Sequence, residues 1–343
     1  MSPSSSGRRV TVHDVAARAG VSQPTASLVL SNHPHARVAP ATRARVLQAA
    51  ADIGYQPNVV AQSLTRRRSF ALGLLVPDVR NPFVADVITG AERVASEAGY
   101  AVLLCDQSTR GVAQHLEVLR ARQIDGVLLG AVGARDLPAD ALAGVKVVLI
   151  DELSDQWPSI ASDALAAGRL AADHLLSLGH RELAYVGPAS DMHAFRMRER
   201  GFTARLRAAG IALESRRLQR DWPTMEGGRD AMRRLLTGGA RPTGIFCAND
   251  LMAIGALKTC LRAGLALPRD VSIVGCEDIE LARYVTPELT TIAIPARELG
   301  ARAARLLLQL IEDAPQRVSA TRLLPVRLVA RGTSGSASQE MTS

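Results

Sequence analysis

Between Thr11 and Leu30 the apolar residues recur at helical spacing in two short runs. Val15, Ala16 and Ala19 form the first stripe and Val29 with Leu30 the second, with Gly20 and Val21 between them. Thr11 three residues before Asp14 is a capping-box start, Gly20 ends the first helix, and Ser22 caps the second. Pro24 falls at the second helical position, where its missing N–H has no intrahelical partner to lose. A third helix, from about Pro40 to Ile53, is predicted to close over the pair through Val46, Leu47, Ala50 and Ile53. A plain helical hairpin would show the same spacing. The second helix, however, also presents Gln23, Thr25, Ser27 and Leu28, short or planar groups that suit phosphates, base edges or a thymine methyl.

After Phe70 the period changes. ALGLLV (71–76), YAVLLC (100–105), DGVLLG (125–130) and KVVLI (146–150) read as short strands buried on both faces, separated by helices near 83–98 and 111–122. Such strands joined by helices imply a parallel sheet with right-handed crossovers. The alternation restarts with a helix at 164–178 and the strand ELAYVG (182–187), then helices at 198–209 and 226–236. It continues through the strand GIFCA (244–248), a helix at 250–263 and the strand VSIVG (271–275). Two successive α/β units fit this better than one sheet of nine strands. No GxGxxG or GxxxxGK[ST] follows a strand, which argues against nucleotide-cofactor chemistry, so no cofactor is expected.

Charge sharpens the division. Residues 1–68 hold nine Arg against Asp14 and Asp52, a balance of +7 within a total of +8. A small basic head on a nearly neutral body suits a head that sits on a polyanion. The four Cys are scattered and the seven His form no metal set, so buried, reduced thiols and no metal are expected. No apolar run is long enough for a secretory signal or a bilayer span, which predicts a cytoplasmic, nucleoid-associated protein without membrane contact. Ser2–Gly7 and the tail after Gly332 read as disordered.

VTVHDVAARAGVSQPTASLVLS and GYQPNVVAQSL resemble the headpiece of the bacterial repressors related to the lactose and galactose repressors. Further stretches, among them Asn81-Pro82-Phe83, Arg198 before Gly201-Phe202, and Ala248-Asn249-Asp250-Leu251, extend the resemblance over about residues 10–331. It implies a small helix-turn-helix DNA-binding head followed by a two-lobed body of parallel sheets like periplasmic sugar-binding proteins. The expected boundaries are 8–56 for the head, 57–69 for a hinge helix and linker, and 70–332 for the body. Lobe one is expected at about 70–160 plus 292–321, and lobe two at about 161–291 plus 322–332.

By the same resemblance Gln23, Pro24 and Leu28 read bases, while Thr11, His13, Ser22, Thr25 and Ser27 follow the phosphates of double-stranded operator DNA. Asn58 starts the hinge helix, Ala61 lies at its crossing with a partner's, and Leu64 is the minor-groove wedge. Ala26 for the usual Val, Leu28 where Arg is frequent, and Ser31 for the usual Asn are departures. Paired hinges imply a homodimer, and the tail lacks a leucine heptad for a further assembly module.

Ligands of open α/β units bind beyond the carboxyl ends of strands. The effector-facing candidates there are Phe83, Asp163, Met192, Arg198, Trp222, Asn249 and Glu277. An indole face and several hydrogen-bonding groups suit a small sugar or sugar derivative. Arg198 as a surface ion-pair residue and Trp222 as a lobe-closing core residue are the alternatives. Glu277 stands where the family usually has Asp or Asn. A repressor modulated by a sugar-like effector is the expected function, with a corepressor-dependent repressor sensing a nucleobase or another small metabolite as the alternative. Acids after several strands, Asp78, Asp106 and Asp151 among them, are also what helix caps and hydroxyl binding produce. No Ser–His or Cys–His pair sits in a motif, so the chain reads as no enzyme.

Overall fold

The computed structural model describes residues 10–30, 38–55, 68–130, 142, 144–239, 241–312 and 321–337; Ser31, Asn58, Ala61 and Leu64 lie outside them. The chain divides into two compact units, Met1–Ser69 and Phe70–Ser343.

In the head, α1 (Val12–Ala19), α2 (Gln23–Leu30) and α3 (Pro40–Asp52) surround one small core. Both arms of the capping box form: Thr11 N–H donates to Asp14 Oδ2 at 2.8 Å, and Asp14 N–H to Thr11 Oγ1 at 3.4 Å. Gly20 ends α1 at φ 65, a left-handed conformation that costs glycine little. Ser22 caps α2 through the Thr25 N–H at 3.3 Å. Val15, Ala26, Val29 and Val46 are buried together. Leu47, expected in the lid, is half exposed, and Ala49 takes its place. The buried seam Val46–Ala49–Ala50 follows the helical period, and Leu47 falls outside it.

The body holds two six-stranded sheets. The first contains β1 (Ala71–Val76), β2 (Ala101–Asp106), β3 (Gly126–Gly130), β4 (Lys146–Ile150), β5 (Ser159–Ser162) and β11 (Thr321–Leu324), in the order β11-β5-β4-β3-β1-β2. The second contains β6 (Leu183–Pro188), β7 (Leu218–Asp221), β8 (Gly244–Cys247), β9 (Ser272–Glu277), β10 (Thr290–Ala293) and β12 (Arg327–Val329), in the order β12-β10-β9-β8-β6-β7. Every pairing is parallel except β10 with β12. Helices α4 (Pro82–Glu97) and α5 (Val112–Ala121) connect the first strands. In the second half come α6 (Ala164–Ser177), α7 (His193–Ala208), α8 (Met225–Thr237), α9 (Asp250–Arg262) and α10 (Ala296–Ile311).

The chain passes between sheets after β5, after β10 and between β11 and β12. A single final strand in lobe two was the expectation from the sequence; instead 321–324 extends the first sheet and only 327–329 joins the second. Pro325, which has no N–H for a ladder, sits at the crossing. Likewise the first sheet keeps the chain through Ser162, and β10 keeps it in the second sheet through Ala293. Helix α7 begins at His193, five residues before the expected start at 198. β2 departs from burial on both faces: it pairs only with β1 at the sheet's end, and Leu103 and Leu104 are exposed.

The polar tail is ordered through Ala337 rather than loose after Gly332. Thr333 is fully buried and its hydroxyl donates to the Ile273 carbonyl at 2.7 Å. Ser334 Oγ lies 2.8 Å from His174 Nε2, and the Gly335 carbonyl 3.0 Å from His180 Nε2. The four cysteines are free and buried. Among the described residues no helix is long and apolar enough to cross a membrane.

Candidate functional site

Burial separates the two sides of α2. Ala26 and Val29 point into the core, whereas Gln23, Pro24, Ser27 and Leu28 are exposed. Thr25 is half-buried, its Oγ1 2.8 Å from Ser22 Oγ. Thr11 and His13 are exposed at the start of α1. The structure thus brings Ser22 to Leu28 onto one short helix with its inner residues spent on packing. Thr11 and Ser22 double as caps. Arg18 reaches Asp52 at 3.6 Å, tying α1 to α3, and Arg45 is exposed on α3.

In the body, β6 is followed by β7 on one side and β8 on the other, so the order of strands reverses between β6 and β8. The crevice at such a reversal is where open α/β sheets hold ligands. Arg198, from α7, lies there with only 1% of its surface exposed. Its Nη1 donates to the Ala248 carbonyl at 2.7 Å and to Glu277 Oε1 at 3.2 Å. Its Nη2 faces Asp151 Oδ2 from the first lobe at 3.9 Å, and its guanidinium lies 5.1 Å from the Phe195 ring centre. Arg198 is no surface ion-pair residue.

Two atoms of this cluster have no hydrogen-bond partner among the described residues: Arg198 Nε and Glu277 Oε2. Burial pushes the Glu277 carboxyl up to about 8, against the pull of the Arg198 charge. Glu277 and Asp278 at the end of β9, and Asp151 after β4, all have positive φ (121, 58 and 55). Non-glycine residues seldom hold that conformation, and they cluster where side chains are aimed for a purpose. Beneath them, fully buried Asp250 accepts from Thr291 Oγ1 at 2.6 Å and from the Ile279 N–H at 2.9 Å, and burial pushes its carboxyl up to about 6. A second contact between lobes runs from the His193 N–H to Glu152 Oε2 at 3.3 Å.

The other candidates are distributed differently. Asn249 is fully buried and committed: its Oδ1 caps α9 at the Met252 N–H (2.9 Å) and its Nδ2 donates to the Pro223 carbonyl (3.2 Å). Asp163 caps α6 through the Ala166 N–H at 2.9 Å, directly after the first crossing between sheets. Met192 precedes α7 and Phe83 lies in the first turn of α4, both half-buried and neither joined to Arg198 by an aromatic or polar contact. Trp222 is 77% exposed and closes no core between the lobes. Sequence reasoning left Asp151 and Phe195 out of the site. The only signal for Asp151 was an acid directly after a strand; for Phe195 it was three residues' spacing from Arg198, which requires α7 to begin early. Among the described residues no group of His, Cys, Asp and Glu could hold a metal ion.

Residues 11–58 match the model of the bacterial regulatory proteins of the lacI family, and residues 172–334 match that of the periplasmic binding protein-like domain. The HTH-type transcriptional repressor CytR of Escherichia coli K12 is 35% identical over 333 residues, covering 94% of this chain and 96% of the relative. The lac repressor dimer solved with operator and the anti-inducer ONPF is 31% identical with a TM-score of 0.83, over 96% of this chain and 100% of that one. A structure of the transcriptional regulator CelR in complex with cellobiose is 30% identical, TM-score 0.71, over 95% and 100%. With a helix-turn-helix face on the head and a buried charged cluster at the strand ends of the body, this chain belongs to the lacI family of bacterial transcriptional regulators, which are not enzymes.

Proposed function

We propose that the chain is a repressor that binds a two-fold symmetric operator as a homodimer and is switched by a small sugar-like effector held between the lobes. The observation that carries the effector class is a pair of buried atoms without a hydrogen-bond partner among the described residues, Arg198 Nε and Glu277 Oε2, on two side chains that meet at the strand ends. Arg198 Nε offers a proton, while the carboxyl oxygen accepts one when ionised and donates one when protonated, and a hydroxyl group answers either. Adjacent hydroxyls therefore complement the pair better than a purely anionic or apolar compound does. Trp222, exposed beside the Pro223 carbonyl that Asn249 holds, offers a ring face to the C–H side of a sugar. The relative solved with cellobiose supports the same class.

On the DNA side Gln23, Pro24 and Leu28 are the base readers, with Thr11, His13, Ser22, Thr25 and Ser27 along the phosphates. Their support is the outward face of α2 and the start of α1. Asn58, Ala61 and Leu64 keep their proposed hinge roles on sequence grounds. For the dimer, the unpaired side of β2 with exposed Leu103 and Leu104, and exposed Leu281 and Tyr284, are apolar surfaces suited to a second copy. The deciding experiment is a titration of genomic DNA fragments with the full chain, with and without a panel of sugars and nucleobases. A palindromic site whose affinity changes with a sugar supports the reading; a response confined to nucleobases overturns the effector class.

A further inference from the structure

Helix α7 carries two different surfaces. Arg198 points to the cleft, whereas Phe195, Arg196, Glu199 and Arg200 line a second cavity of about 550 Å3, together with the end of β6 and the edge strand β7. Phe195, against whose ring Arg198 lies, forms the wall between the two. Arg220 on β7 donates to Glu199 Oε1 at 2.5 Å and so neutralises the acid in the middle of the cavity. Arg196 and Arg200 stand one helical turn apart, both exposed; neither guanidinium makes a hydrogen bond or salt bridge with a described residue, although the Arg196 charge acts on Glu152. Exposed Asp191 is the remaining acid of the lining.

Tyr185 supplies the independent observation. It is 1% exposed, yet its side chain lines this cavity and its hydroxyl has no hydrogen-bond partner among the described residues. The hydroxyl reaches the strand end: a Cβ on Gly187 would lie 2.6 Å from it. Burial keeps the phenol protonated, hence a donor. A nearly buried hydroxyl on the wall of a cavity that the side chains of Arg196 and Arg200 also line is an arrangement that the fold itself does not use.

We propose that this cavity is a second small-molecule site on the lobe, built for the phosphate group of an organic phosphate. Three separate donors, Arg196, Arg200 and Tyr185, match the three free oxygens of a phosphate monoester, and two guanidinium charges match its charge of nearly −2. A carboxylate has one oxygen and one charge fewer. The cavity is far larger than a phosphate ion, and the Phe195 and Tyr185 rings provide an apolar wall for the organic part. The site is independent of the effector assignment, since neither Arg198 nor Glu277 contributes to it.

The test is calorimetric titration of the full chain with phenyl phosphate, benzoate and phenol. Phenyl phosphate should saturate at one per chain, benzoate should bind more weakly, and phenol should give no measurable heat of binding. Arg196→Gln and Arg200→Gln, at exposed positions, should each weaken phenyl phosphate about tenfold or more, the loss of one charge-assisted contact. Tyr185→Phe keeps the ring and should weaken it severalfold. Absence of saturable binding at millimolar phenyl phosphate, or binding that survives both Arg substitutions unchanged, overturns the site. Benzoate or phenol binding as tightly as phenyl phosphate overturns its assignment to phosphate.

Discussion

Asp151 and Arg198 face each other across the two lobes, with Asp151 Oδ2 3.9 Å from Arg198 Nη2 and both side chains buried. The closer acid, Glu277, is pushed toward its neutral form by burial, and Asp151 brings a second acid to the buried guanidinium from the first lobe. Its other oxygen is occupied by the Ser162 N–H and hydroxyl at 2.8 and 2.7 Å. Asp151→Asn keeps an acceptor for Ser162 and removes only the charge. It should cost about 1–3 kcal/mol in urea unfolding, the cost of a buried charge with too little compensation. An unchanged midpoint would mean that water already solvates Arg198.

Base readout and backbone positioning separate by substitution. Gln23→Ala should relax preference at one base pair by about 1–3 kcal/mol, measured by anisotropy on a set of single-base operator variants. Arg45→Ala should instead weaken all sequences alike and lower the slope of log affinity against log salt by about one. Unchanged preferences after Gln23→Ala would move readout to Pro24, Leu28 or DNA shape.

Gly275 makes room for the Asp250 carboxyl: a Cβ there would lie 2.2 Å from Oδ1. That oxygen holds Thr291 and the other holds the Ile279 N–H. Gly275→Ala should therefore expel a fully buried acid from its partners and destabilise by about 2–4 kcal/mol. The check is thermal unfolding, with retained secondary structure by circular dichroism; a stable variant would show that β9 shifts to accommodate the methyl.

Protonation should loosen the tail. Burial lowers His180 and His174 below their ordinary 6.5, so the folded chain binds fewer protons there than the unfolded chain. The stability they contribute is complete above pH 6.5 and is lost as pH falls below it. Glu277, raised to about 8, acts in the opposite sense, favouring the folded state more as pH falls from 8. The difference between wild type and His180→Asn isolates the histidine. The variant should be less stable at pH 7.5 and should lose less stability between about 7 and 5. Equal slopes would show that the His180 cluster is open to water.

The head was legible because its caps are local: Thr11 with Asp14, Gly20 and Ser22 each act within a few residues. The long apolar strands β1, β3 and β4 were equally plain, since burial on both faces leaves an unbroken run. SIAS, LQRD and TTIA escaped because four-residue strands owe their state to ladder partners 10 to 162 positions away. Of the cleft, Arg198 and Glu277 were found and do meet. The commitment of Asn249 to Met252 and Pro223, and the reach of Asp151 from the first lobe, are set by tertiary contacts that no local pattern encodes.

The late strands β11 and β12 bear on how the molecule is made. Each lobe takes its last strand from residues 321–329, and the first lobe also takes α10, which packs on α4. A ribosome that has finished every residue of the cleft cluster, through Glu277, has therefore completed neither sheet. Both lobes wait for the same short stretch and finish together, so the nascent chain passes through most of its synthesis with two open sheet edges that only its final segment covers.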